Sequence, residues 1–569
     1  MSTTPNSAVE LEALMRSPDT VMRLARLGSF HQCRLSFMRT LLRRMRSEEW
    51  QFDRPLWNIN AKGVGHAVYR ARGPRHTYSL VAFSHDLDPN MRSDRVIATA
   101  WDATFTLFDG EPDAADLERL AANVPYQEAG RISDRELSLS RANRSVRLWN
   151  HVLQRLACGQ QPDIETVNAV GYLMRTTAVY GSGKFGAADR TKYIDRVLMR
   201  GPFRIELLSV YLTRAFTLDL VEHLAQLKGG DKAVVIAPEL RRRFGVGNST
   251  GLGMAPFLIN HPVLFHAWIQ ARETALARVR ALQSISTEQR QLFYNCLERA
   301  RLNAWSWRSE HPIQIEKLKS LRADLDDLAA WLQDNPSWPD AQPWNTLYLW
   351  AETAMSLEGQ EQLVSLMLEP YPELVDELAD HMDADESASF VIDGSMRIDT
   401  LKQGLDQHYA WVRDTDYSQS QANARFWYVS EEKLEPRLGE RHQEPGAQYE
   451  QPLATSRDVA AMSQSLTTWK DEASVASFLL EHPEFRHTLR RVQISTRHRY
   501  AEIHDNLIDQ KMLPIDLLRC KLSFFGATHF DPRSDRWIRI CMYQGAPFPH
   551  ELHSQDDSDW SMPGLETGA

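Results

Sequence analysis

Val64-Gly-His-Ala-Val-Tyr-Arg-Ala-Arg-Gly-Pro-Arg-His-Thr-Tyr-Ser-Leu-Val-Ala-Phe83 decides the fold class. Two runs rich in Val, Tyr, Thr and Phe flank Gly73-Pro74, which reads as strand, turn, strand. The strand signal covers 64–71 and 76–83 and, past Asp86–Asn90, resumes over 95–108 as an antiparallel meander. Outside it, apolar residues recur at helical spacing over 8–48, 113–124, 134–158, 163–178, 203–228, 262–283, 285–305, 313–333, 343–368, 370–382, 472–482 and 484–512. Gly229-Gly230 stops one long helix, and Pro262 suits the first turn of another. Two further strands, 521–530 and 536–543, meet across Asp531–Ser534 and are candidates to complete the N-terminal sheet. The fold expected is α+β and predominantly α-helical, a large helical body with a small antiparallel sheet near the N-terminus.

Three regions are expected: 1–160, with a basic helix and the meander; 161–382, helical with two Gly-rich loops; and 383–569, with a charged excursion over 431–457 and the closing strands. The chain has 569 residues, 43% hydrophobic and 25% charged, which suits a soluble globular protein. Its net charge of -10 argues against bulk nucleic-acid binding. Five scattered cysteines without metal or disulfide spacing point to a reducing compartment. No apolar run is long enough to span a bilayer, and the first residues lack the order of a signal peptide, so cytoplasm and no membrane partner are expected. The arginines among 16–46 read mainly as a solvated basic face, and most of the sixteen tryptophans as core.

Two Gly-rich stretches carry the functional reading. Gly181-Ser-Gly-Lys-Phe-Gly186 matches G-x-G-x-x-G, but the preceding residues read mainly as helix and Asp195 ends no strand. Phe185 stands where a P-loop needs Ser or Thr, so NAD(P) or nucleotide binding is only a weak expectation and no cofactor is predicted. The second stretch, from Arg241 to Pro262, places Gly245, Gly247, Gly251 and Gly253 around Asn248, Ser249 and Thr250. It reads as a ligand loop, since glycine allows close backbone approach and N–H groups can converge on an anion. Arg175, Lys184 and Arg190 flank the first stretch and Arg242 the second, with Arg425 beside an aromatic run. With Asn248 and Thr250 they are the candidate binding groups for a carboxylate or phosphate.

Ser249, Met254, Pro256, Asn260 and Pro262 follow the order of the mobile signature loop of the fumarase/aspartase lyases, Ser-Ser-x-Met-Pro-x-Lys-x-Asn-Pro. The segment resembles that loop in order but not in spacing, and it lacks the lysine between Pro256 and Asn260. The analogy implies Ser249 as a base, with glycine dipoles and Asn248 stabilising developing charge. His261, and His529 beside Asp531, are the other candidates for proton transfer, and no nucleophile elbow or metal-ligand spacing appears. The leading expectation is therefore an enzyme, lyase-like and homo-oligomeric, acting on a small anion at Gly-rich loops. The alternatives are a non-catalytic binding or assembly protein, and a flavin or haem enzyme without a recognisable motif.

Overall fold

The computed structural model describes residues 8–91, 100–126, 133–178, 199, 201–251, 261–307, 309, 312–336, 338, 341–383, 391–416, 418, 425–428, 436–439, 450–451, 455–504, 519–532 and 537–554. Its α+β body is built on a nine-stranded sheet. Strands β1 (Gln51–Ile59), β2 (Gly65–Arg72), β3 (Thr77–Ser84), β4 (Ala103–Asp109), β5 (Glu136–Arg144) and β6 (Tyr172–Thr176) form an antiparallel series in chain order. Next comes β7 (Gly245–Gly251), parallel to β6. A separate three-stranded sheet holds β8 (Arg425–Tyr428), β9 (Pro436–Gly439) and β10 (Glu450–Gln451). The C-terminal hairpin, β11 (His529–Pro532) and β12 (Trp537–Met542), joins the large sheet through β12 against β7.

The second Gly-rich stretch is thus a central strand over Gly245–Gly251 and not a loop. Packing accounts for two of its glycines. A Cβ on Gly247 would meet the Tyr172 ring at 2.6 Å, and one on Gly245 would strike the Met542 carbonyl oxygen and come within 2.6 Å of Cys541 Sγ. The closing strands therefore reach the meander only through β7. Other segments also depart from the helical reading. Residues 134–158 contain β5 before a helix at Trp149–Ala157, because the alternation from Glu136 finds β4 and β6 to pair with. Residues 163–178 divide at Gly171, whose φ of +77° ends a short helix before β6. Lys521–Phe525 is a π-helical turn, and β11 begins only at His529.

The helix Arg204–Gly229 lies across the inner face of the sheet, burying Leu208, Leu212, Phe216 and Leu220 in the main core with Phe105, Leu107 and Val246. Helix Ala114–Asn123 covers Val68, Val81, Phe83 and Phe108 on the opposite face. A smaller core gathers Ile398, Leu401, Phe478, Leu489 and Val492. Among the described residues no helix is long and apolar enough to cross a membrane.

The N-terminal arginines are not a solvated face. Residues 8–48 break into short helices, among them Pro18–Val21 and Phe37–Ser47, and turn their arginines inward. The helix Leu357–Met367 is buried from Glu358 onward, so its carboxylates need internal counter-charges. Arg39 grips Glu369 just beyond it at 2.6 and 2.8 Å, and Arg16 bridges Glu273 and Glu361. Arg34 holds Asp376, and Arg519 and Lys317 share Glu358. Sequence spacing alone reads such arginines as surface because their partners lie hundreds of residues away.

Three outcomes follow from this packing. Gly247→Ala should cost about 1–3 kcal/mol in chemical denaturation, since the Tyr172 ring must move. Glu369→Gln should cost about 3–5 kcal/mol, because it leaves the Arg39 guanidinium buried without its carboxylate. The third concerns acid. Burial pushes His31 down to about 4, against the pull of the Glu369 carboxylate, and burial likewise lowers His266 to about 4. Both histidines fold in the neutral form, so their contribution is complete above about 6.5 and is lost as pH falls from there towards 4. A midpoint that stays flat between pH 7 and 4 in denaturation curves would contradict that environment.

Candidate functional site

The chain leaves β6 and β7 at the same edge of the sheet, because the two strands are parallel and Arg175 is in register with Gly247. The carboxyl ends of these two strands therefore lie side by side. Residues Gly181–Gly186, Lys184, Arg190 and 252–260 lie outside the described residues. Asn248 ties the exits together by donating Nδ2–H to the Thr176 carbonyl at 2.9 Å.

Side chains opposite one another on paired strands share a face, which sets out two rows across the sheet. In the first, the Asp102 N–H donates to Asn143 Oδ1, Asn143 pairs with Arg175, and Arg175 with Gly247. Gly247 pairs with Cys541, which pairs with His529. In the second, Thr104 pairs with Arg141, the Thr177 N–H donates to the Arg141 carbonyl, and Ser249 pairs with Arg539, which pairs with Asp531. Arg141, Arg175 and Arg539 thus stand on one face of adjoining strands, alongside the positions of Ser249 and His529. The Tyr172 ring occupies the space over Gly247.

Arg141 differs from most of the protein's arginines. Among the described residues its guanidinium has no carboxylate or hydrogen-bond acceptor. It stacks on the Trp101 ring, 4.1 Å from the centroid, and burial alone lowers its pKa. The buried Trp101 Nε1–H also lacks an acceptor. Two adjacent donors without acceptors suit an anion, which would accept from both. Next to them, His85 Nε2 lies 2.9 Å from Thr104 Oγ1. Burial lowers the His85 pKa, opposed by the Asp102 carboxylate, so a neutral imidazole faces this corner near pH 7.

The other sequence-derived candidates are dispersed. Asn248 and Thr250 alternate with Ser249 along β7 and so belong to the opposite face. There Asn248 is fully buried, and among the described residues its Oδ1 has no hydrogen-bond partner. Arg242 sits at the other end of β7. Its carbonyl accepts from Gly545 N–H and from Arg214, and its guanidinium is 3.5 Å from Glu551. His261 precedes the helix Pro262–Arg280, whose Phe265 N–H donates to the His261 carbonyl. Arg425 belongs to the separate three-stranded sheet. Ser249, Thr250 and His529 are placed by backbone register alone.

Sequence reading missed Arg141, Arg539, Trp101 and His85. The signal for Arg539 was an arginine between Ile538 and Ile540 in a strand, and for Arg141 the period-two run from Glu136 that was taken for helix. Burial pushes the Cys33, Cys296, Cys520 and Cys541 thiols up to between about 11 and about 12, which suits packing and not nucleophilic attack. Among the described residues no three His, Cys, Asp or Glu side chains are grouped to hold a metal ion.

Comparison with known protein families, with curated proteins and with solved structures finds no match. The geometry of the rows must stand alone. Because Arg141 has no ion pair among the described residues, Arg141→Met should change stability by no more than about 1 kcal/mol in urea denaturation. A loss of several kcal/mol would mean that the guanidinium has a structural partner.

Proposed function

We propose that the protein is an enzyme acting on a small anionic substrate, carboxylate- or phosphate-bearing, held on the sheet face at the carboxyl ends of β6 and β7. The observation that carries this reading is the half-buried Arg141 guanidinium, stacked on Trp101 and without a carboxylate among the described residues. An arginine with no ion pair on a partly dehydrated surface is poised for bidentate recognition of an oxyanion. Arg175 and Arg539, at positions on the same sheet face, add positive charge.

The chemistry proposed is proton transfer next to the bound anion, with elimination as its form. His85, neutral and close to Thr104, is the group best placed to take a proton. Ser249 and His529, on the same sheet face, are the further proton-transfer candidates. A carboxylate held at Arg141 would have its developing negative charge stabilised by that guanidinium and by the Trp101 N–H. Five unpaired thiols fit a cytoplasmic protein.

Calorimetric titration with inorganic phosphate and with a simple dicarboxylate tests the binding part. Arg141→Gln should weaken whichever anion binds by about tenfold or more, the size of a charged hydrogen bond. Equal affinity in wild type and variant would overturn the reading. Once a substrate is found, the rate should fall on the acid side with an apparent pKa below about 6.5, since protonated His85 accepts no proton. His85→Gln should remove that limb and lower kcat by about 10²-fold or more.

A further inference from the structure

The interior ion pairs do not balance. Arg16, Arg26 and Arg272 share two carboxylates, Glu273 and Glu361. Arg16 is bidentate to Glu273 and also reaches Glu361 at 2.6 Å, and Arg26 meets Glu361 at 3.1 Å. Arg272 donates Nε–H to Glu273 at 2.9 Å, stands 3.7 Å from Glu361, and donates from Nη1 to the Arg26 carbonyl at 3.3 Å. Three guanidinium charges thus face two carboxylates. Arg272 and Arg16 are 2% and 5% exposed and the Arg26 side chain 16%, so most of the cluster is shielded from bulk water.

The surplus has an address. Among the described residues Arg272 Nη2 is buried and makes no hydrogen bond, although each of the other Arg272 nitrogens has a partner. Further charges within reach have partners of their own, Arg39 on Glu369 and Arg519 on Glu358. Phe524 lies beneath the guanidinium at 5.8 Å, and the buried Cys33 and Cys520 thiols feel its charge. An uncompensated buried cation with an unused N–H costs several kcal/mol unless an anion meets it.

We propose that the interior of the protein binds one monovalent anion of halide size at Arg272 Nη2, completing the Arg16–Arg26–Arg272 cluster. One unmatched charge selects a monovalent ion, and full burial selects a small one. This site is separate from the sheet-face site, because it is built on the helices Pro262–Arg280 and Leu357–Met367.

Two measurements on the full chain test it. Thermal unfolding in sodium bromide or chloride, against sodium gluconate at equal ionic strength, should show a melting temperature that rises with the logarithm of halide concentration once the site fills. Arg272→Met removes the surplus charge and leaves two arginines for two carboxylates, so it should abolish the halide dependence. Independently of that variant's folding, wild-type crystals containing bromide should show an anomalous peak within hydrogen-bond reach of Arg272 Nη2. A melting temperature indifferent to the anion, together with no bromide at that nitrogen, would overturn the proposal and leave water as the occupant.

Discussion

The close approach of β6 and β12 to β7 is the constraint on which the rest of the sheet depends. Six antiparallel strands come from the first third of the chain, and the last two come from its far end. Only β7 joins them, and it does so with glycine where Tyr172 and Cys541 press against it. Arg214 fixes where this strand begins. From the helix Arg204–Gly229 its buried guanidinium binds the carbonyls of Phe244 and Ala546 and stacks on Phe548, which clamps the start of β7 to the turn that follows β12. A side chain at 247 or a shift at 244 would disturb both halves of the sheet together.

The same constraint explains what was legible in the sequence. Strands β2, β3 and β4 were readable because they pair locally, whereas β1 and β5 were not read as strands. The long helix at Arg204–Gly229 was readable because Gly230, with φ of +55°, ends it. The strand Gly245–Gly251 was not, because glycine and short polar residues carry no strand signal and a loop reading fitted them equally well. Its strand character is imposed by partners at Tyr172–Arg175 and Trp537–Met542, one of them nearly 300 residues downstream. The buried arginines were hidden for the same reason. Arg39 and Glu369 look like ordinary surface residues until the fold brings them together.

The candidate site divides along similar lines. Arg175, Ser249 and His529 were singled out for local chemistry, and strand register places all three positions on one face. Asn248 and Thr250 were grouped with Ser249 because they adjoin it, yet the two-residue period of a strand puts them on the other side. Arg141 and His85 carried no motif. Their interest comes from what surrounds them, a guanidinium without a carboxylate and an imidazole held neutral by burial, and neither property is written in sequence neighbours.

Two different electrostatic situations therefore coexist in one protein. Inside, arginines and glutamates lock the N-terminal segment to the helix Leu357–Met367. On the sheet face, Arg141 has no counter-charge among the described residues at the place where the chain leaves β6. The central claim is that Arg141 binds a substrate's anionic group. A crystal structure grown with inorganic phosphate tests it most directly. The account predicts phosphate density bonded to the Arg141 guanidinium and to Trp101 Nε1. Arg141 paired instead with a carboxylate of the chain itself, with no anion beside it, would contradict the claim.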